Sequence, residues 1–146
     1  MRKIAFLLVM ALLSATFVFA HGGDYVKTSK GVYFMKKVRF GVNCCLVGIT
    51  DKGEHMNFQK ADIISFSKNG AMYEKMPVYK NNQLTGEEEF MKLVSVRNGM
   101  KLYEYEYISK KSGEQSRRYY VFKGDKLIVE MNNTNRQTLT DFFNRE

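Results

Sequence analysis

The sequence has no tryptophan, one proline, two cysteines and two histidines in 146 residues. Two cysteines exclude a disulfide-dense scaffold and any four-cysteine zinc site. Two histidines exclude a three-histidine metal centre. Gly-x-Ser-x-Gly, His-Glu-x-x-His and a glycine-rich phosphate loop are missing too, which removes the commonest hydrolase, metalloprotease and nucleotide-binding signatures. Beyond residue 20 no apolar run is long enough to cross a bilayer as a helix. The chain is nevertheless 45% hydrophobic and 14% aromatic. That is too apolar for a disordered chain, and the length suits one domain with a real core.

Residues 1–20 have the parts of an export signal. Arg2 and Lys3 give a cationic start, and Ile4 to Ala20 is apolar apart from Ser14 and Thr16. The run ends in Val18-Phe19-Ala20, with a small residue where a signal peptidase cuts. The competing reading is a retained anchor, but the run falls short of the ~20 residues that a span needs, and Gly-rich polar chain follows. No Cys follows the cleavage point, which argues against a lipoprotein. The expectation is a periplasmic or secreted protein whose residues 21–146 form a single β-rich domain.

Export changes what the charge means. The chain carries a formal net charge of +8, two units of which leave with Arg2 and Lys3. In the cytosol such a surplus would suggest nucleic acid. Outside it, acidic polysaccharide, anionic headgroups or an acidic protein are the natural partners, or the surplus serves solubility alone.

After Ala20 the helical period is almost absent, and short runs of Val, Ile, Phe and Tyr alternate with turn residues. Strands are expected at Val32–Phe40, Val42–Thr50, His55–Phe58 and Ile63–Ser67. Asn69-Gly70 should turn the last of these into Ala71–Tyr79, because Asn-Gly accepts the positive φ angles of a tight hairpin. Pro77 lacks an N–H and calls for an edge or an interruption there. Lys80–Gly86 reads as a polar loop. Phe90–Arg97 and Met100–Ile108 flank Asn98-Gly99, and Arg117–Lys123 and Lys126–Met131 flank Gly124-Asp125. Glu87-Glu88-Glu89 would suit a helix start, but Val94 and Val96 favour a strand. Thr134–Phe143 reads as a short helix with Leu139, Phe142 and Phe143 on its apolar face. No crossover helix separates consecutive strands. The fold class is therefore mainly all-β: an antiparallel meander, a curved barrel-like sheet or small sandwich, with a short C-terminal helix.

Three stretches of the second half share a pattern: Phe90-Met91-Lys92-Leu93-Val94, Leu102-Tyr103-Glu104-Tyr105, and Tyr119-Tyr120-Val121-Phe122-Lys123-Gly124-Asp125. Over roughly residues 62–143 this resembles small exported envelope proteins of Bacteroides-type bacteria whose function is unknown. The resemblance implies an envelope β module and brings no catalytic residues with it.

Candidate chemistry is sparse. Cys44-Cys45 would form a strained redox ring, link two chains, or simply pack as small apolar residues. His21, as a new N-terminus, offers copper an amine and an imidazole, with His55 as the sole other imidazole. The alternative is a frayed tail. Glu104 and Glu106 share a strand face ~6–7 Å apart, which suggests a glycosidase pair. The plainer expectation is solvent-facing carboxylates paired with Arg117, Arg118 or Lys92. Ser65-Phe66-Ser67-Lys68 matches Ser-x-x-Lys without the helix that a nucleophile would need.

Tyrosine remains. Tyr103, Tyr105 and Tyr107 alternate onto one strand face, while Tyr119 and Tyr120 fall on opposite faces beside Arg117 and Arg118. They suit either a recognition surface for an envelope protein or glycan, or a structural aromatic ladder. The missing tryptophan weakens the glycan case. The sequence thus suggests an exported, non-catalytic binding or assembly module using Tyr103, Tyr105, Tyr107, Arg117, Arg118, Tyr119 and Tyr120, without cofactor or nucleic acid. Two alternatives stand beside it: a barrel holding a small apolar ligand, and a hydrolase working through carboxylates or His55.

Overall fold

Alternation of β-branched and aromatic residues with polar ones, cut by Asn- and Gly-containing turns, produces eleven strands among the described residues. The computed structural model describes residues 23–42, 45–132 and 141. The strands are β1 (Asp24–Thr28), β2 (Gly31–Met35), β3 (Lys37–Phe40), β4 (Cys45–Ile49), β5 (His55–Gln59), β6 (Ile63–Lys68), β7 (Ala71–Lys80), β8 (Gln83–Arg97), β9 (Met100–Ile108), β10 (Gln115–Lys123) and β11 (Lys126–Asn132). All pairings are antiparallel. Eight strands form one sheet in the order β11-β10-β9-β8-β7-β6-β1-β2, and β3-β4-β5 form a second. The sheets do not close into a barrel; the arrangement is sandwich-like. The leader at residues 1–20, His21 and Cys44 lie outside the described residues. So does the helix expected at Thr134–Phe143, Asp141 apart.

The hairpins follow the turn chemistry. Asn69 and Asn98 hold φ values of 52° and 50°, as the expected Asn-Gly turns require. Four expectations are corrected. The run Val32–Phe40 is not one strand: it breaks at Lys36, so that β2 joins the large sheet and β3 the small one. β1 was not anticipated, because its five residues include Asp24 and Lys27 and do not read as apolar. The run Val42–Thr50 shortens to β4. The stretch Lys80–Gly86 is no loop: Asn81 and Asn82 both take positive φ (53° and 60°) and make a two-residue turn between β7 and β8.

The small sheet lies on one face of β1, β2 and β6. Val38, Leu46 and Phe58 from the small sheet meet Val26, Met35, Ile63 and Phe66 from the large one. Gly48 permits the approach, since a Cβ there would stand 2.8 Å from Met35 Sδ. Asp24, buried in this layer, accepts a hydrogen bond of 2.9 Å from the Val38 N–H and ties β1 to β3.

The opposite face is covered by the chain's own hairpin. β7 and β8 keep regular register up to Pro77↔Glu88, then shift before Tyr79↔Leu84. Pro77 lies where β7 has already lost β6 as a neighbour, so its missing N–H breaks no ladder on that side. The Thr85 hydroxyl donates to the Val78 carbonyl at 2.8 Å, and Gly86 takes φ +83°. This bulge bends the hairpin so that its tip lies across β9–β11. There Val78 packs with Met91, Tyr103, Tyr120 and Phe122. The tip is pinned by hydrogen bonds. Tyr120 donates its hydroxyl to the Tyr79 carbonyl at 2.7 Å, and the Asn81 and Asn82 amides donate to the Glu130 carboxylate at 3.3 and 2.7 Å.

Candidate functional site

The bent hairpin opens a fork in the sheet. β8 pairs with β9 only from Lys92↔Glu104 to Arg97↔Met100. Below that point β8 pairs with β7 alone, and Tyr105, Glu106, Tyr107 and Ile108 of β9 pair with β10 alone. Two strand edges therefore part from a common point. The cleft between them holds about 640 Å³. Glu89, Phe90 and Lys92 line it from β8, and Glu104 to Ile108 from β9. Phe40, Cys45 and Leu46 of the small sheet, with Lys60 and Tyr73, complete the wall.

The fork divides the seven residues singled out by sequence. Tyr103, Tyr119 and Tyr120 are buried at 1%, 3% and 0% exposure, and each hydroxyl is used inside the protein. Tyr103 donates to Glu74, Tyr119 to Glu104 at 3.0 Å, and Tyr120 to the Tyr79 carbonyl. These three hold the fold and offer no contact surface. Tyr105, Tyr107 and Arg118 are half-buried and adjoin one another. The two rings stack at 5.5 Å and 21°, and the Arg118 guanidinium sits 4.6 Å over Tyr107. Arg118 also donates to the Tyr79 carbonyl at 3.2 Å, while its buried Nε has no hydrogen-bond partner. Arg117 lies on the other face and is exposed. Its Nε meets Glu106 at 2.9 Å, as the cross-strand expectation had it.

Glu104 corrects the solvent-facing expectation. It is only 7% exposed and accepts the Tyr119 hydroxyl, with Lys92 as its cross-strand neighbour. Both glutamates line the cleft, but each carboxylate is already engaged within the protein. His55 is exposed on β5 and is not part of the cleft wall. Cys45 is a free thiol whose Sγ donates to the Val42 carbonyl at 3.0 Å. Among the described residues no three His, Cys, Asp or Glu side chains are grouped to hold a metal ion. No helix among them is long and apolar enough to cross a membrane.

Carboxylates set the field in the cleft. Burial first, then Glu106 and Glu104, push the Tyr73 phenol above its usual range. Burial first, then Glu89, with Tyr120 and Glu87 adding to it, does the same to Tyr105, and Arg118 opposes it. The sequence reading found Tyr105, Tyr107 and Arg118 but missed Glu89, Phe90, Lys60, Tyr73 and Phe40. The available signal was Gly86 at the border between the polar stretch and the strand-like run that follows it, where a bulge is common. Which side of the sheet the arm would cover depends on contacts more than forty residues distant, such as that of Tyr120 with Tyr79. Comparison with known proteins gives no matching family model, no similar curated protein and no similar solved structure.

Proposed function

We propose that this protein is a non-catalytic binding module, exported to the cell envelope, whose ligand occupies the cleft between β8 and β9. The observation that carries this reading is the fork. An open cleft of about 640 Å³ falls in the size range of ligand sites and mixes aromatic walls with a few placed charges. Tyr105 and Tyr107 provide rigid amphipathic area at its lip, and Arg118 holds the Tyr107 ring in place. Export rests on the cationic-apolar-small pattern of residues 1–20.

The other readings have less support. A ligand-carrying barrel needs a closed lumen, and this sheet is open. A hydrolase built on this pair needs both carboxylates at liberty to meet substrate, whereas Glu104 is buried and held by the Tyr119 hydroxyl.

The test is an amide-shift titration of the purified protein with a panel of short peptides, oligosaccharides and fatty acids. Binding should perturb Phe90 and Tyr105–Ile108, and Tyr105→Ala combined with Tyr107→Ala should weaken it about tenfold or more. Perturbation confined to another surface would overturn the assignment.

A further inference from the structure

Resting on the cleft as the binding site, we infer that its ligand is an extended peptide with cationic and apolar residues in alternation, added as a strand along the free edge of β9. Three observations lead there. The first is the edge itself. Tyr105 to Ile108 keep strand geometry and pair with β10 on one side, while the side that faces the cleft has no ladder partner among the described residues. Edge backbone left in this state is what strand addition recognises.

The second is the alternation of what flanks that edge. Along the free edge Glu106 and Ile108 project to one face of the sheet and Tyr105 and Tyr107 to the other, Glu104 being already opposed by Lys92 of β8. In the place that β8 vacates, a peptide running antiparallel to β9 sets successive side chains beside these two rows. Directly opposed residues in such a pair lie ~4.5–5.5 Å apart. The first row therefore accepts Lys or Arg at Glu106, and the other accepts an aliphatic or aromatic side chain against the stacked tyrosines.

The third is charge. The chain as a whole carries +8, yet the two strand segments that bound the fork carry the opposite sign. Glu87, Glu88 and Glu89 on β8 and Glu104 and Glu106 on β9 stand against Lys92. Three outside cations neutralise part of this: Lys60 on Glu89 and Arg117 on Glu106, both pairs being partly exposed and thus weakly held, and Lys75 over the Phe90 ring. The upward shifts of the Tyr73 and Tyr105 phenols, driven by burial and then by these carboxylates, fit the same negative field. In a basic protein, an acidic fork discriminates for basic peptide.

The test uses three probes against the purified protein: a short peptide alternating Lys with Val, its Glu-Val counterpart, and the Lys-Val peptide with alternate amides N-methylated in each of the two registers. The Lys-Val peptide should bind with amide shifts at Tyr105–Ile108, and its affinity should fall as salt rises. The Glu-Val peptide should bind at least about tenfold more weakly, as should the methylated peptide of one register, whose ladder hydrogen bonds are lost. Glu88→Gln with Glu106→Gln, both exposed positions, should weaken the Lys-Val peptide several-fold without moving the urea midpoint. Equal binding of the Glu-Val peptide, or of both methylated peptides, overturns the inference. Failure of the Lys-Val peptide while an oligosaccharide or fatty acid still perturbs Tyr105–Ile108 also overturns it, but leaves the cleft as the binding site. If no probe of either panel reaches the cleft, both readings fall.

Discussion

The clusters around Phe66 and Tyr120 are built differently, although both sit on the same sheet. Around Phe66 two separate sheets meet over an apolar cluster of Val26, Met35, Val38, Leu46, Phe58, Ile63 and Phe66, with the buried Asp24 carboxylate accepting from the Val38 N–H beside it. Phe66 stacks on Tyr73 at 4.8 Å and 6° and meets Phe90 edge-on at 5.1 Å. Around Tyr120 the sheet is covered by its own hairpin, and buried phenols carry directional bonds to Glu74 and to the Tyr79 carbonyl. Apolar contact has no direction, so the first cluster fixes a distance between layers. A hydrogen bond to a backbone carbonyl has direction, so the second fixes where the hairpin tip lies. The cleft exists because the arm is fastened to the second cluster instead of zipping along β9.

The largest difference should appear on removing from each cluster the contact that defines it. Phe66→Ala removes a fully buried ring and should destabilise by roughly 3–5 kcal/mol. Tyr120→Phe keeps the ring and strips only the hydroxyl, leaving the Tyr79 carbonyl short of one donor, for about 1–2 kcal/mol. Urea unfolding measures both. Equal losses would mean that direction matters as much as volume, and the contrast between the clusters would fail.

Alkali should separate the clusters next. Burial, followed by donation to Glu74, raises the Tyr103 phenol far above its ordinary value, and burial raises Tyr120 as well. A phenol raised in the folded state keeps its proton there at a pH where the unfolded chain has begun to lose it. Its stabilising contribution is complete below the unfolded value of about 10 and is lost as pH rises through the folded one. The protein should thus unfold in alkali, with Tyr103 and Tyr120 ionising only as it does so. Tyrosinate absorbance followed alongside circular dichroism checks this. Tyr103→Phe should flatten the fall in stability above pH ~10, whereas Phe66→Leu should shift the whole curve without flattening it.

This contrast also explains what the sequence made legible. Alternation and Asn-Gly pairs are local, and they placed β6 through β11 and their antiparallel order. A residue with one kind of surface, such as Phe66, declares its side by alternation alone. Tyrosine does not, because the same residue suits a core or a lip, and the choice depends on a partner for its hydroxyl. Tyr103 and Tyr105 lie two residues apart on one face, yet one is buried against Glu74 and the other borders the cleft. Tyr103 finds its partner on β7, whereas the ring stacked on Tyr105 is Tyr107 of its own strand. Asn81-Asn82 was misread for a simpler reason: a polar stretch suggests a loop, although Asn is among the few residues that accept two successive positive φ values.

The bulge itself offers a smaller test. Gly86 has open space around its missing Cβ but takes φ +83°, a region that costs an L-residue about 1–2 kcal/mol. Gly86→Ala should cost that much if the arm keeps its bend. If the arm straightens to relieve the strain, the loss is smaller, but Tyr79 leaves Tyr120 and Phe122, whose ring centroids now lie 6.4 and 6.0 Å away. Aromatic proton shifts of Tyr120 distinguish the two outcomes and show whether the second cluster or the bulge governs the arm.

The smallest effect is expected where the arm meets the first half of the chain. Lys60, at the corner between β5 and β6, reaches Glu89 at 2.6 Å, and Lys75 donates back to the carbonyls of Lys60 and Ala61 at 2.9 and 3.2 Å. Both members of the ion pair keep about a third of their side-chain exposure, 35% and 34%, so water and salt screen most of the attraction. Lys60→Ala should therefore change stability by less than about 1 kcal/mol in urea unfolding, and the change should shrink as salt is added. A loss of about 2 kcal/mol or more, insensitive to salt, would show that this corner and not the tyrosine cluster holds the arm away from β9. The fork would then be a product of both halves of the chain, and the division drawn between the two clusters would have to move to Lys60.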